Sequence, residues 1–252
     1  EIKKTDLISL AQIMHQKMKN ILIASTSTLA NENYLEYLLP ELQLHFQNCN
    51  TILFIPYARP GGISHQEYTS MVGLAFAKIK KKVIGIHEFE DARLAIKNAE
   101  GIFTGGGNTF VLVTQLHKNN VMDILSEVVK NGTPYLGTSA GSNICGLTMQ
   151  TTNDMPIVYP PSFKTLGLIS FNLNPHYLDP DANSKHMGET RETRIKEYHA
   201  FNTVPVLGLR EGSWLDVKGD TVTLKGDLTA RLFRQNQTPE ELKTESDLSF
   251  IK

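Results

Sequence analysis

The chain of 252 residues carries 25 Lys and Arg against 26 Asp and Glu residues, so its formal net charge is −1. Hydrophobic residues make up 40% and charged residues 20%, a composition that excludes disordered and fibrous proteins. The charge balance argues against a general nucleic-acid or anionic-membrane binder, because such proteins usually carry a basic excess. The length fits one large α/β domain or two small ones.

The two cysteines, Cys49 and Cys145, are too few for a disulfide framework but leave a single bridge open. Such sparse cysteine favours a reducing compartment, and no apolar run approaches the ~18 residues of a membrane helix. We therefore expect a cytoplasmic protein. Residues 1–17, which precede Met18, are expected to be an appendage of uncertain origin, and residues 18–252 a single α/β domain.

Short apolar runs alternate with stretches of helical apolar spacing over the first 150 residues. Strands are predicted at 21–24, 51–55, 82–86, 101–104 and 134–137. Helices are predicted at 35–46, 65–79, 91–99, 109–117 and 121–131. This alternation indicates a parallel sheet with right-handed crossover connections.

The second part of the chain has a looser pattern. Residues 151–188 are rich in Pro, Asn and Asp and are expected to form loops with short strands. A helix is predicted at 189–201, followed by late strands at 204–209, 214–217 and 221–224. The polar tail from Gln235 is expected to be peripheral.

The strongest local signal is a G-x-S-x-G motif at 137–141, which follows a predicted strand and precedes a helical stretch. A sharp strand–turn–helix holds such a serine in a strained conformation, and small neighbours remove the clashes. Ser139 is therefore a candidate nucleophile, and the backbone N–H of Ala140 a candidate oxyanion donor. The alternative is an ordinary tight turn.

Three glycines, 105–107, follow another predicted strand and precede Asn108 and Thr109. Glycines let the backbone approach a ligand closely. The segment lacks the further glycine of a dinucleotide fingerprint and the Gly-Lys-Ser/Thr of a Walker A loop. An oxyanion loop beside Ser139 fits better, and a plain helix N-terminus capped by Asn108 or Thr109 is the alternative.

A serine nucleophile needs a base and an acid that orients it. Among eight histidines, His176 stands out because it lies in an Asn-Pro-His turn beyond Ser139. Asp154 and Glu211 are both candidates for the acid, although each alone reads as a turn residue. No His-Glu-x-x-His or Cys-x-x-Cys spacing exists, which argues against a zinc site.

Together these segments resemble the peptidase E family, dipeptidases that remove N-terminal aspartate from Asp-X dipeptides. The resemblance runs from about residue 21 to 232 and rests on GGGNTF (105–110), GTSAGSN (137–143), TTNDMPIV (151–158), NPH (174–176), GETRETRI (188–195) and EGSW (211–214). It implies a flavodoxin-like, doubly wound and mostly parallel sheet related to class I glutamine amidotransferases, with late β-strands at the C-terminus.

By this resemblance Ser139 is the nucleophile, His176 the general base and Asp154 the acid, with Glu211 as the alternative acid. Glutamine amidotransferases place their acid two residues after the histidine, where this chain has Leu178, so the acid must come from elsewhere and Asp154 is favoured. The resemblance further implies backbone N–H groups of Gly106 and Ala140 as oxyanion donors.

Arg191 resembles the aspartate-binding arginine of the family, and the fork of an arginine suits a carboxylate. Asn108 and Thr109 are expected to contact the substrate, and Glu189 or Glu211 its α-amine.

The expected activity is serine-type hydrolysis of small Asp-X peptides through an acyl-enzyme, without cofactor or metal, by a monomer or homodimer that binds neither nucleic acid nor membranes. One alternative is cyanophycinase-like hydrolysis of β-linked Asp-Arg. Others are a non-catalytic binding protein on the same fold and nucleotide binding at the glycine loop.

Overall fold

A computed structural model of the protein describes residues 18–181, 183 and 188–252. The appendage expected at 1–17 lies outside the described residues. The described residues form two β-sheets with helices packed around them.

The first sheet consists of β1 (Asn20–Ala24), β2 (Thr51–Ile55), β3 (Lys82–Gly85), β4 (Gly101–Thr104), β5 (Tyr135–Thr138), β8 (Trp214–Lys218) and β9 (Thr221–Lys225). Its first five strands are parallel, and β8 and β9 extend it antiparallel beyond β1. The second sheet consists of β6 (Asn172–Pro175), β7 (Val206–Leu209), β10 (Ala230–Phe233) and β11 (Glu240–Leu242). The strands of the first sheet lie in the order β3-β2-β4-β5-β1-β8-β9, and those of the second in the order β11-β10-β7-β6.

The helices are α1 (Leu39–His45), α2 (His65–Ala77), α3 (Ala92–Lys97), α4 (Thr109–Lys118), α5 (Met122–Lys130), α6 (Ala140–Asn143) and α7 (Arg191–His199), with 3-10 turns at Glu36–Leu38 and Ile86–Glu88. The helix predicted at 35–46 is divided into one of these turns and α1. Pro40 lies in the first turn of α1, where its missing N–H costs nothing.

The central parallel strands of the first sheet bury both of their faces. Along β1, Ile21 and Ile23 belong to one apolar cluster, whereas Leu22 and Ala24 belong to another. Helices α1 and α2 contribute to the cluster that contains Leu22, and helices α3, α4 and α5 to the other. Because successive side chains of a strand point to opposite faces, this division places helices on both sides of the sheet. The predicted doubly wound, mostly parallel sheet is confirmed.

The sequence-based prediction of a peripheral tail after Gln235 is wrong. Strand β11 pairs with β10, and Leu248 and Ile251 are buried in the core cluster. These apolar residues are widely spaced among polar ones, so the sequence contains no apolar run that would predict their burial. None of the helices in the described part of the chain combines the length and the apolar character needed to cross a membrane.

One buried titratable group lies in this core. His45 ends α1, is 7% exposed, and its Nε2 lies 3.1 Å from the carbonyl oxygen of Tyr135 in β5. A carbonyl only accepts, so Nε2–H is the donor. Burial, with a smaller contribution from the charge of Lys218, lowers the pKa of His45 to about 3.

We predict that His45 makes the folded protein less stable as the pH falls. The unfolded chain binds a proton at this histidine near pH 6.5, whereas the folded chain binds one only near pH 3. The contribution of neutral His45 to the free energy of unfolding is therefore complete above pH 6.5. It decreases as the pH falls from 6.5 to 3, by at most about 1.4 kcal/mol per pH unit. Urea unfolding at several pH values should show a steeper loss for the wild type than for His45→Gln. Parallel pH dependences would contradict the assignment.

Candidate active site

The nucleophile turn connects β5 to α6 and contains Ser139 in a left-handed conformation, with φ 53° and ψ −110°. Residues other than glycine rarely adopt positive φ. Two glycines make the turn sterically feasible: a Cβ on Gly137 would lie 2.4 Å from the carbonyl oxygen of Gly141, and one on Gly141 would lie 2.1 Å from that of Thr104. The G-x-S-x-G motif thus forms the strained turn that its spacing indicates.

The predicted histidine lies against this serine. His176 follows β6 with φ 54°, and its Nε2 is 2.9 Å from Oγ of Ser139. On the other side of the ring, Nδ1 is 2.5 Å from Oε1 of Glu211, which lies two residues beyond β7. A carboxylate only accepts, so Nδ1 carries the proton and Nε2 is free to accept the serine proton. The side chains of His176 and Glu211 are 36% and 48% exposed, so substrate and water can reach them.

The acid favoured from sequence lies elsewhere. Oδ2 of Asp154 accepts hydrogen bonds from the backbone N–H of Thr109 at 2.7 Å and from the hydroxyl of Thr152 at 3.0 Å. The carboxylate of Asp154 therefore lies against the N-terminus of α4, where the helix dipole stabilises a negative charge. The imidazole of His176 contacts the alternative acid, Glu211, and this corrects the expectation that Asp154 orients the histidine.

The glycine loop lies directly beside Ser139. A Cβ on Gly106 would come within 3.0 Å of the Cβ of Ser139 and 3.5 Å of its Oγ. The hydroxyl of Tyr68 donates a hydrogen bond to the carbonyl of Gly106 at 3.3 Å, and Gly107, with φ 145°, packs against the backbone of Ala58. The loop thus brings its backbone next to the serine without side chains in between.

The second expected oxyanion donor is the N–H of Ala140. This residue directly follows Ser139 and begins α6, so its N–H lacks an intrahelical acceptor. The structure therefore brings both predicted donor residues next to the nucleophile.

Asn108 and Thr109 are near the site, but their polar atoms are used within the protein. Oδ1 of Asn108 caps α4 by accepting from Val111, and its Nδ2 donates to the carbonyl of Met155 at 2.9 Å. Thr109 is 1% exposed, and its hydroxyl lies 3.1 Å from the hydroxyl of Thr152. These side chains hold segment 152–155 against the glycine loop, so their observed contacts are structural.

Arg191 is the first residue of α7 and is partly buried. Burial and the neighbouring charge of Arg194 lower the pKa of Arg191, whereas Asp154 opposes this shift. An arginine remains charged despite such a shift, because its ordinary pKa lies far above neutral pH. Glu189 is exposed and lies 3.8 Å from Arg194. Together with 178–181, these residues line a pocket beside the turn that holds His176.

Sequence reasoning did not identify Ser25, which directly follows β1. Its buried Oγ accepts a hydrogen bond from the backbone N–H of His176 at 2.9 Å and donates one to the carbonyl of Leu209 at 2.7 Å. Its position directly after a predicted strand could have identified it, because polar residues at the carboxyl ends of parallel strands meet at one edge of a sheet.

The remaining candidate chemistry concerns thiols and metals. Cys49 and Cys145 are both buried and free. Within the described residues, no three His, Cys, Asp or Glu side chains are grouped so that they could hold a metal ion.

Comparison with known proteins identifies relatives over most of the chain. The model of peptidase family S51 matches residues 21–225. Peptidase E of Streptomyces coelicolor is 46% identical over 230 residues, which cover 91% of this chain and 93% of that protein. The probable alpha-aspartyl dipeptidase of Drosophila melanogaster is 44% identical over 236 residues, covering 92% of this chain and 97% of that one.

Two solved structures share the fold. A putative peptidase E protein from Listeria monocytogenes superposes with a TM-score of 0.63 at 22% identity, over 83% of this chain and 98% of its own. A peptidase from an acI-B1 Actinobacterium gives a TM-score of 0.69 at 15% identity, over 94% of this chain and 100% of its own.

Proposed function

Since the chain belongs to peptidase family S51, we propose that it is a serine-type dipeptidase that hydrolyses Asp-X dipeptides with a free N-terminal aspartate. The observation that carries this proposal is the hydrogen-bonded series Ser139–His176–Glu211, with contacts of 2.9 Å and 2.5 Å. Relatives above 40% identity are named for peptidase E and alpha-aspartyl dipeptidase activity, which supports aspartate as the residue released.

In the first half-reaction, Oγ of Ser139 attacks the carbonyl carbon of the aspartyl residue while Nε2 of His176 takes its proton. The carboxylate of Glu211 holds the ring through Nδ1 and stabilises the imidazolium. The backbone N–H groups of Gly106 and Ala140 are proposed to stabilise the oxyanion. The C–N bond then breaks as His176 returns the proton to the leaving amine, which releases X and leaves an aspartyl ester on Ser139.

In the second half-reaction, His176 takes a proton from a water molecule that attacks the ester. The new intermediate collapses, the serine oxygen leaves with the proton held by His176, and free aspartate is released. These steps require only groups of the chain and water, so the proposal includes no cofactor and no metal ion.

Aspartate selectivity is assigned to Arg191. A carboxylate that leaves water needs a charged or multidentate partner, and the guanidinium supplies both. Its partial burial supports this role, because desolvation strengthens an ion pair with the substrate. Glu189, close by on the same segment, is the proposed partner of the substrate α-amine. Asn108 and Thr109 are proposed to shape this region through the contacts that hold segment 152–155.

We also propose that the protein works in the cytoplasm as a monomer or homodimer on small peptides, without nucleic-acid or membrane partners. Two free cysteines support a reducing compartment, and a formal charge of −1 supports a small-molecule substrate over a polyanion.

The first prediction concerns substrate choice. The purified protein should hydrolyse Asp-Leu but not Glu-Leu, Ala-Leu or N-acetyl-Asp-Leu, and Ser139→Ala should lose activity by several orders of magnitude. Released leucine is the readout. Turnover of β-Asp-Arg instead of Asp-Leu would favour a cyanophycinase-like hydrolase. Failure to cleave any substrate or to label Ser139 with a serine-reactive probe would favour a binding protein.

The second prediction separates the two acids. Glu211→Gln should lower kcat for Asp-Leu by about 10²- to 10⁴-fold, because the amide no longer stabilises the imidazolium. Asp154→Asn is the matched carboxylate-to-amide control, and it should mainly lower stability by about 1 kcal/mol through the weakened contact with α4. A larger loss of kcat in Asp154→Asn than in Glu211→Gln would reverse the assignment.

The third prediction concerns Arg191. Arg191→Ala should reduce kcat/KM for Asp-Leu by about 10²-fold or more, because it leaves the substrate carboxylate without a charged partner. Lys196→Ala removes a positive charge further along α7, from an exposed side chain that pairs with Glu192, and should change kcat/KM by less than about 3-fold. Normal turnover of Asp-Leu by Arg191→Ala, with unchanged thermal stability, would contradict the assignment.

A further inference from the structure

The end of β1 contacts all three turns that carry the proposed catalytic residues. The carbonyl oxygen of Ala24, its last residue, accepts hydrogen bonds from the backbone N–H of Ser139 at 3.2 Å and from the hydroxyl of Ser142 at 2.6 Å. The next residue, Ser25, donates its backbone N–H to the carbonyl of Ser213 at 3.1 Å. The backbone of β1 thus holds the nucleophile turn on one side and the segment after Glu211 on the other.

The side chain of Ser25 connects the two remaining turns. Its hydroxyl is fully buried, accepts from the N–H of His176 and donates to the carbonyl of Leu209, the last residue of β7. A hydroxyl has only one proton, so this donation fixes its orientation and leaves a lone pair for His176. The result is a directed series from His176 N–H through Ser25 to Leu209, two residues before Glu211.

Two features make this series of hydrogen bonds important for the position of His176. His176 has φ 54°, a left-handed conformation that persists only where surrounding contacts enforce it. Its backbone N–H points to Ser25 and would lose its partner if the hydroxyl were removed. Since β1 belongs to the first sheet and β6 and β7 to the second, the hydroxyl also fixes the second sheet against the strand that positions Ser139.

We propose that Ser25 is a positioning residue for catalysis: its hydroxyl holds the turns of His176 and Glu211 in register with Ser139. This inference rests on the proposed serine-peptidase function. It assigns Ser25 no contact with the substrate and no part in proton transfer.

The decisive variant is Ser25→Ala. Small displacements of a catalytic group cost up to 10²-fold in rate, so kcat for Asp-Leu should fall about 10- to 100-fold while KM changes less than about 3-fold. The control is Ser126→Ala on α5. It removes a serine hydroxyl that donates a hydrogen bond to the carbonyl of Leu166 at 2.7 Å. Ser126 is half-buried and makes one such hydrogen bond, so the control should lose less thermal stability than Ser25→Ala and should keep the kcat of the wild type.

Labelling of Ser139 by a fluorophosphonate provides a second readout that does not depend on the peptide substrate. The serine oxygen forms a bond to phosphorus, fluoride leaves, and His176 takes the serine proton, so the rate reports the geometry of Ser139 and His176. Ser25→Ala should slow labelling about 10-fold or more relative to Ser126→Ala. Ser25→Thr, which retains the hydroxyl, should label faster than Ser25→Ala even if it is less stable.

The inference is overturned if Ser25→Ala keeps kcat and labelling rate within about 3-fold of Ser126→Ala. If Ser25→Ala does not fold, Ser25→Cys, nearly the same size but with a weak donor and acceptor, is judged by the same criteria. Failure of the proposed function looks different: wild-type protein would not cleave Asp-Leu, or Ser139→Ala would retain activity. Slow labelling of Ser25→Ala would still support positioning if only the substrate assignment failed.

Discussion

The site depends on two residues that both have left-handed backbone conformations, Ser139 and His176, and that lie 2.9 Å apart at Oγ and Nε2. Each such conformation costs about 1–3 kcal/mol and persists only where neighbouring contacts leave no alternative. For Ser139 the close approach of Gly137 and Gly141 permits the turn, and the carbonyl of Ala24 fixes its amide. For His176, whose flanks lack such glycines, hydrogen bonds replace sterics. Local strain at the reacting groups is therefore supported by contacts from strands that carry no reacting group.

The two candidate acids illustrate how location decides the role of a carboxylate. Asp154 lies at the first turn of α4, where it binds the backbone of Thr109, and its charge also acts on Arg191. It therefore holds segment 152–155 against the first turn of α4, which follows the glycine loop. Glu211 has no helix terminus to bind and reaches the imidazole of His176 instead. We propose that one carboxylate shapes the substrate region and that the other stabilises charge on the base.

Much of this arrangement could be predicted from sequence because it is local. The G-x-S-x-G motif indicates a strained turn, the glycine triplet indicates close backbone approach, and alternating apolar runs indicate a parallel sheet with right-handed crossover connections. The choice between Asp154 and Glu211 could not be predicted, because it depends on how the second sheet packs against the first. Ser25 was missed for the same reason: its partners are 151 and 184 positions away in sequence. Strands β10 and β11 escaped notice because they are short and interrupted by charged residues.

The distances between Ser139, His176 and Glu211 depend on which sheet carries each residue. His176 and Glu211 follow β6 and β7, which are neighbouring parallel strands, so their mutual contact is set within one sheet. Ser139 follows a strand of the other sheet, so its distance to His176 is the one that depends on how the sheets are joined. A single apolar cluster spans this junction, with Leu173 and Leu209 from one sheet and Ile21 and Ile23 from the other. Apolar packing resists separation of the sheets but is not directional, whereas the hydrogen bonds of a buried hydroxyl are. The hydrogen bonds at the end of β1 therefore fix the position of His176 relative to Ser139, which the apolar core alone does not determine.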